Sequence, residues 1–225
     1  MYLRRIILFS FILILLKSGK AQTDICFQVN FDKQALEINS THYISYLEDS
    51  LTITKLKFYI TELSYFDDDS LIVKDERSYL IDINNKNSSS IKGPSNFNKI
   101  KFNLGVDSLT NVAGVQGGDL DPTKGMYWAW NSGYINFKLE GKCSILSTRQ
   151  SKFQLHLGGF QAPFNSQRSI ELKVNNNSNV CTISLPIDKF INQLDLGSNH
   201  TIMSPSEKTI EQVDILATLF EIVYE

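Results

Sequence analysis

Lys99-Ile100-Lys101-Phe102-Asn103-Leu104-Gly105-Val106-Asp107 is the cleanest alternation of apolar and polar residues in the chain. Ile100, Phe102, Leu104 and Val106 recur at every second residue, the period at which side chains share one face of a strand. A strand dry on one face and wet on the other belongs to a sheet that covers a core on one side only. The pattern continues in both directions. Upstream, Ile25, Phe27, Val29 and Phe31 alternate with Cys26, Gln28, Asn30 and Asp32. Leu51 and Ile53 are followed by Leu56, Phe58 and Ile60 in a register shifted by one, which predicts a bulge near Lys55. Residues 71–73 and 79–83 read as further strands, with Asp67-Asp68-Asp69 at a hairpin tip and residues 84–90 as a solvated loop.

Downstream, Ile135, Phe137 and Leu139 mark a half-buried strand, and Gly141-Lys142 is expected to turn the chain. Phe153, Leu155 and Leu157 form another, with Gln154 and His156 on the opposite face and Gly158-Gly159 ending it. Ile170, Leu172 and Val174 alternate with Glu171 and Lys173. After a loop over 175–179, Cys181, Ile183 and Leu185 run as a strand up to Pro186, which fits an edge or an end better than a central position. Helical periodicity appears only late. Phe190, Ile191 and Leu194 allow a short helix. Ser204-Pro205-Ser206-Glu207 then combines a capping serine, a first-turn proline and a glutamate three residues after that serine. Ile210, Val213, Leu216, Ala217 and Phe220 fall on one helical face. The fold expected is mainly β, an antiparallel β-sandwich or barrel of Greek-key type closed by a C-terminal helix.

Residues 1–21 are set apart from that domain. Arg4-Arg5, an apolar run over 6–16, then Lys17-Ser18-Gly19-Lys20-Ala21 read as a secretory signal peptide with cleavage near Ala21. The run is short for a bilayer and no later segment is long and apolar enough, so no stable membrane span is expected. Residues 22–225 are left as a single domain in the periplasm or outside the cell. Losing Arg4, Arg5, Lys17 and Lys20 reduces 22 basic side chains to 18, against 24 acidic ones. A mildly acidic surface argues against nucleic acid. Export exposes the three cysteines, Cys26, Cys143 and Cys181, to oxidation, so one disulfide and one thiol are expected, with Cys143–Cys181 the preferred pair.

Both tryptophans, Trp128 and Trp130, lie within Gly125-Met126-Tyr127-Trp128-Ala129-Trp130-Asn131-Ser132-Gly133-Tyr134, between two turn signals. On a strand the two indoles would share a face. The simplest reading is an aromatic plug closing one end of the core. Histidine is scarce: His42, His156 and His200. His156 sits on the polar face of its strand, and His200 precedes Met203 by three residues in a loop, a spacing that lets imidazole and thioether reach one soft metal. His42 has no supporting neighbours and reads as solvated. Asp119 and Asp121, two apart, raise calcium, but no further acidic residues follow at loop spacing, and a turn-forming role fits better. No catalytic constellation stands out, and the chain does not read as an enzyme.

Five runs in order carry a family resemblance: Gly105-Val106-Asp107-Ser108, Gly118-Asp119-Leu120-Asp121-Pro122, the 125–134 stretch just quoted, Leu155-His156-Leu157-Gly158-Gly159, and His200-Thr201-Ile202-Met203-Ser204-Pro205. Together they resemble the MbnP-like copper-binding domain family, with Gly105, Asp107, Asp119, Asp121, Gly125, Met126, Gly133 and Tyr134 among the motif positions. The resemblance implies an exported copper protein that uses histidines. In characterised members it also uses a kynurenine made from tryptophan by a di-haem, cytochrome c peroxidase-like partner. It raises His156 and His200 together as copper ligands, beside the Met203 that the spacing from His200 already offers, with Trp128 or Trp130 as the modified residue. The competing expectation is a non-enzymatic, ligand-binding or adhesive sandwich whose exposed aromatics stack on a sugar or a peptide.

Overall fold

The computed structural model describes residues 22–44, 48–175 and 179–224, with only the backbone of residues 86 and 87. The expected signal peptide and most of the 175–179 loop lie outside the described residues. Among the described residues, fourteen strands form two sheets. In chain order they are β1 (Gln22–Phe31), β2 (Gln34–Ala35), β3 (Thr41–Ile44), β4 (Asp49–Asp67), β5 (Ser70–Asp82), β6 (Ser90–Pro94) and β7 (Lys99–Leu104). After a short helix α1 (Ser108–Val112) come β8 (Tyr127–Trp128), β9 (Gly133–Cys143), β10 (Lys152–Gly158), β11 (Arg168–Lys173) and β12 (Val180–Pro186). Helices α2 (Ile187–Gln193) and α3 (Leu196–Asn199), strand β13 (Thr201–Ile202), helix α4 (Glu207–Leu219) and strand β14 (Glu221–Val223) complete the chain.

The smaller sheet runs β14-β12-β1-β2, with β6 also against β1; the larger runs β11-β7-β4-β9-β10-β13, with β3 and β5 on β4 and β8 on β9. β4 organises the larger sheet. β9 pairs with it up to Phe58, and β7 takes over from Ile60. The expected bulge is there, as a register shift between Ile53 and Lys55. Inner faces meet in one core, where Phe27 packs edge-on to Phe102 and Phe102 edge-on to Phe220. Each such ring taken fully out of water contributes about 2–3 kcal/mol before its ordering cost is counted. Among the described residues no helix is long and apolar enough to cross a membrane.

Four expectations need correction. The sheets are mixed rather than purely antiparallel: β1 pairs parallel with β12 from Asp24 to Asn30, and β10 parallel with β13. Most of the domain separates β1, ending at Phe31, from β12, beginning at Val180, so no hairpin dictates their direction. Gly141 does not turn the chain. It lies inside β9, where an added Cβ would come within 2.4 Å of both the Phe153 ring and the Thr52 carbonyl. Ser206, not Ser204, caps α4: its Oγ accepts from Thr209 N at 3.2 Å, which places Pro205 before the helix. Cys143, on β9 of the larger sheet, and Cys181, on β12 of the smaller, form no bridge; all three cysteines are free thiols.

Candidate functional site

The segment from Gly105 to Tyr134 leaves the end of β7 and lies over the outer face of the larger sheet. Its anchoring starts at Gly105, whose φ of +104° and absent Cβ admit the Asn136 amide, which would otherwise stand 2.5 Å from a side chain. Asn136 Oδ1 then accepts from Val106 N at 2.9 Å, and its Nδ2 donates to Ser166 Oγ at 2.8 Å. Asp107 caps α1, accepting from Thr110 N at 2.8 Å and Thr110 Oγ1 at 2.5 Å. Burial works against its charge most, yet the hydrogen bonds from Thr110 still hold the carboxyl below its ordinary value. Asn111 donates to the carbonyls of Val106 and Asp107 and accepts from Tyr134 N at 2.8 Å. The Tyr134 hydroxyl accepts from Gln116 N and donates to Leu120 O, both at 3.1 Å.

The acidic pair is spent on similar work. Asp119 accepts from Leu80 N at 3.1 Å and meets the Lys124 ammonium at 2.5 Å, while its carbonyl takes the Tyr59 hydroxyl at 3.0 Å. Asp121 caps the next turn, accepting from Thr123 N and Oγ1 at 2.8 and 2.7 Å. Gly125 has φ +75° and gives its carbonyl to the Lys138 ammonium. Met126, fully buried, offers its carbonyl to Ile135 N at 2.9 Å. The motif residues therefore fasten a loop. What they fasten is the β8–β9 hairpin that carries the tryptophans, closed by pairs Tyr127↔Tyr134 and Trp128↔Gly133.

The two indoles differ sharply in setting. Trp128 is 3% exposed and Trp130 66%, with ring centroids 5.8 Å apart at 46°. Trp128 lies over Gly158, where a Cβ would come within 2.9 Å of its ring. Its Nε1 is sealed from water without an acceptor among the described residues, an expensive state for an N–H. Beside the pair opens a pocket of about 500 Å³, walled by the hairpin tip, by the turn after Gly159 and by Ser204-Pro205. Phe160 and Phe164 join it from that turn, to which α1 is tied through the bond from Ser108 Oγ to Phe160 O at 2.7 Å.

The histidines lie along β10. Leu155 and Leu157 face the core, so Gln154, His156 and Gly158 share the outer face. Gln154 N donates to the His200 carbonyl at 2.7 Å, His156 comes two residues later, and Gly158 under Trp128 two after that. Each such step is about 6–7 Å of strand. His156, 7% exposed, has its Nε2 2.8 Å from Glu140 Oε1, and Lys55 grips the other oxygen of Glu140 at 3.0 Å. The hydrogen bond with His156, and Lys55 after it, hold the Glu140 carboxyl down at about 2 against the opposing effect of burial. His200 Nδ1 is 2.9 Å from Gly197 O, and Met203 is 37% exposed. His42, expected in solvent, is instead stacked on Phe31 with ring centroids 4.2 Å apart.

Each candidate imidazole thus has one nitrogen oriented by an oxygen, as metal-bound histidines do, and the other without a hydrogen-bond partner among the described residues. Neither His156 nor His200 nor Met203 lines the tryptophan pocket. No group of three or more His, Cys, Asp and Glu side chains among the described residues is placed to hold a metal, so a site here needs Met203 or an altered indole as well. Sequence reasoning missed Glu140, Phe160 and Phe164, and it marked Gly158 without its place under the indole. Glu140 carries no signal of its own in the sequence, because its partnership with His156 is made across strands.

Two packed mixed sheets, the larger bearing an aromatic hairpin and a carboxylate-held histidine on its outer face, define a β-sandwich closed by a C-terminal helix. The MbnP family model matches residues 20–205, and the chain belongs to the MbnP family. Among solved structures it is similar to MbnP from Methylosinus trichosporium, with a TM-score of 0.61 and 11% identity over 84% of this chain and 83% of that one. At that identity the likeness concerns the fold. No curated protein matches the chain.

Proposed function

We propose that this protein is an exported, non-catalytic copper-binding protein of the periplasm, holding the metal on the outer face of the larger sheet through His156, with His200 and Met203 as further donors. Membership of the MbnP family supports the copper reading. The observation that carries it here is the setting of His156: Glu140 fixes Nε2, which leaves Nδ1 for a metal, one strand step from the residue on which Trp128 rests. Imidazole and thioether suit copper in either oxidation state. Bound copper would supply a redox-active or transferable ion, and the protein's part is to orient the imidazoles and exclude water.

An intact indole has no lone pair to give. Conversion of Trp128 or Trp130 to kynurenine, by a di-haem peroxidase-like partner, would expose an aromatic amine in its place. Protein purified from its native host is expected to carry about one copper per chain, and His156→Ala to lose most of it. Peptide mapping should locate a net exchange of one carbon for one oxygen on a single tryptophan. Native protein that is metal-free and takes up copper no better than the His156→Ala, His200→Ala double variant overturns the reading.

A further inference from the structure

The pocket beside the tryptophans has a lining with no charged residue. That is unusual in a chain whose residues are 20% charged, and it has a sequence origin: residues 126–137, 153–167 and 196–206 each contain no Asp, Glu, Lys or Arg. These are the segments that meet at the pocket. Its apolar lining is mostly aromatic, the exposed Trp130 with Phe160 and Phe164, beside Ala162 and Pro205. Its polar groups are the side chains of Asn131, Ser132, Gln161 and Ser204, none of which has a hydrogen-bond partner within the described protein. The buried Nε1 of Trp128, also without a partner, belongs to the same wall.

We propose that this pocket binds a neutral, polyhydroxylated ligand, a sugar unit of a glycan, by stacking it on Trp130 and hydrogen-bonding its hydroxyls to Asn131, Ser132 and Gln161. The chemistry selects the class. A sugar ring has C–H faces that lie on an indole and a rim of hydroxyls that both donate and accept, matching amides and a serine. A cationic ligand would find aromatic faces but no carboxylate, and an anionic one would find no lysine or arginine. A purely apolar ligand would leave the amides unpaired. A volume of about 500 Å³ takes one or two sugar rings and leaves the rest of a chain in solvent. The pocket does not include His156, His200 or Met203 and shares only the tryptophans with the copper reading, and stacking on an intact Trp130 needs no metal.

The test is titration of the full mature protein, stripped of metal with a chelator, with maltohexaose, cellohexaose and N-acetylchitohexaose. Binding is followed by tryptophan fluorescence and calorimetry, with sialyllactose and choline as charged controls. One neutral oligosaccharide is expected to shift the fluorescence and bind saturably, while the controls do not. Gln161→Ala should weaken it about tenfold, and Trp130→Ala about thirtyfold or more. Gln161→Ala should leave both the melting temperature and the copper content of host-purified protein unchanged. Saturable binding that survives both substitutions, equal binding of a charged control, or no response to any of the three neutral probes overturns the proposal. Copper content is read on the same host-purified preparations before the chelator is added, so either reading can fail without the other.

Discussion

At the scale of single residues, the two tryptophans make the sharpest contrast. Trp128 is packed on Gly158 inside a small second cluster with Tyr59, Met126 and Tyr134, while Trp130 stands in solvent. Trp128→Ala is expected to cost about 3–5 kcal/mol in denaturant unfolding, and Trp130→Ala to stay within about 0.5 kcal/mol. Gly105→Ala combines a strained φ with displacement of the Asn136 amide, and should cost about 2–4 kcal/mol. Glu140 gives a pH-dependent prediction. Its folded value of about 2 lies below the ordinary one, so the stabilisation is complete above about pH 5 and is lost as pH falls toward 2. Unfolding titrations of Glu140→Gln should therefore show a flatter acid limb than the parent, and an unchanged limb would remove the His156–Glu140–Lys55 cluster from the account.

At the scale of elements, what was legible depended on whether a signal was local. The bulge near Lys55 showed because one residue of slip moves the whole apolar set to the other face, and β4 keeps that slip against β9. The start of α4 was misplaced by two residues because both Ser204 and Ser206 are capping residues, and only tertiary contacts choose between them. Ser206 wins, its oxygen on Thr209 N, while the Ser204 carbonyl takes the Thr209 hydroxyl at 2.8 Å. Ser206→Ala should cost about 1 kcal/mol of stability, whereas Ser204→Ala should change the melting curve little. Strand β14 escaped notice because three residues, Glu221 to Val223, carry too little periodicity; its evidence is the pairing with Thr182 to Ser184.

At the scale of the molecule, alternation told of a two-sided sheet protein but not of strand direction, which is why the parallel β1–β12 pair was unforeseen. The motif residues were found as a set, yet their duty, fastening the aromatic hairpin, needed the long-range bonds of Asn111 on α1 and Asn136 on β9, polar residues that carry no signal of their own in the sequence. The unbridged cysteines have a further outcome. Burial pushes the Cys181 thiol up to about 11 and raises Cys143 as well, so neither reaches the reactive thiolate form easily in the folded state. An alkylating reagent such as iodoacetamide should modify the partly exposed Cys26 first. The second and third modifications then wait on opening of the sheets, and their rates give a native clock for how often each layer of the sandwich parts.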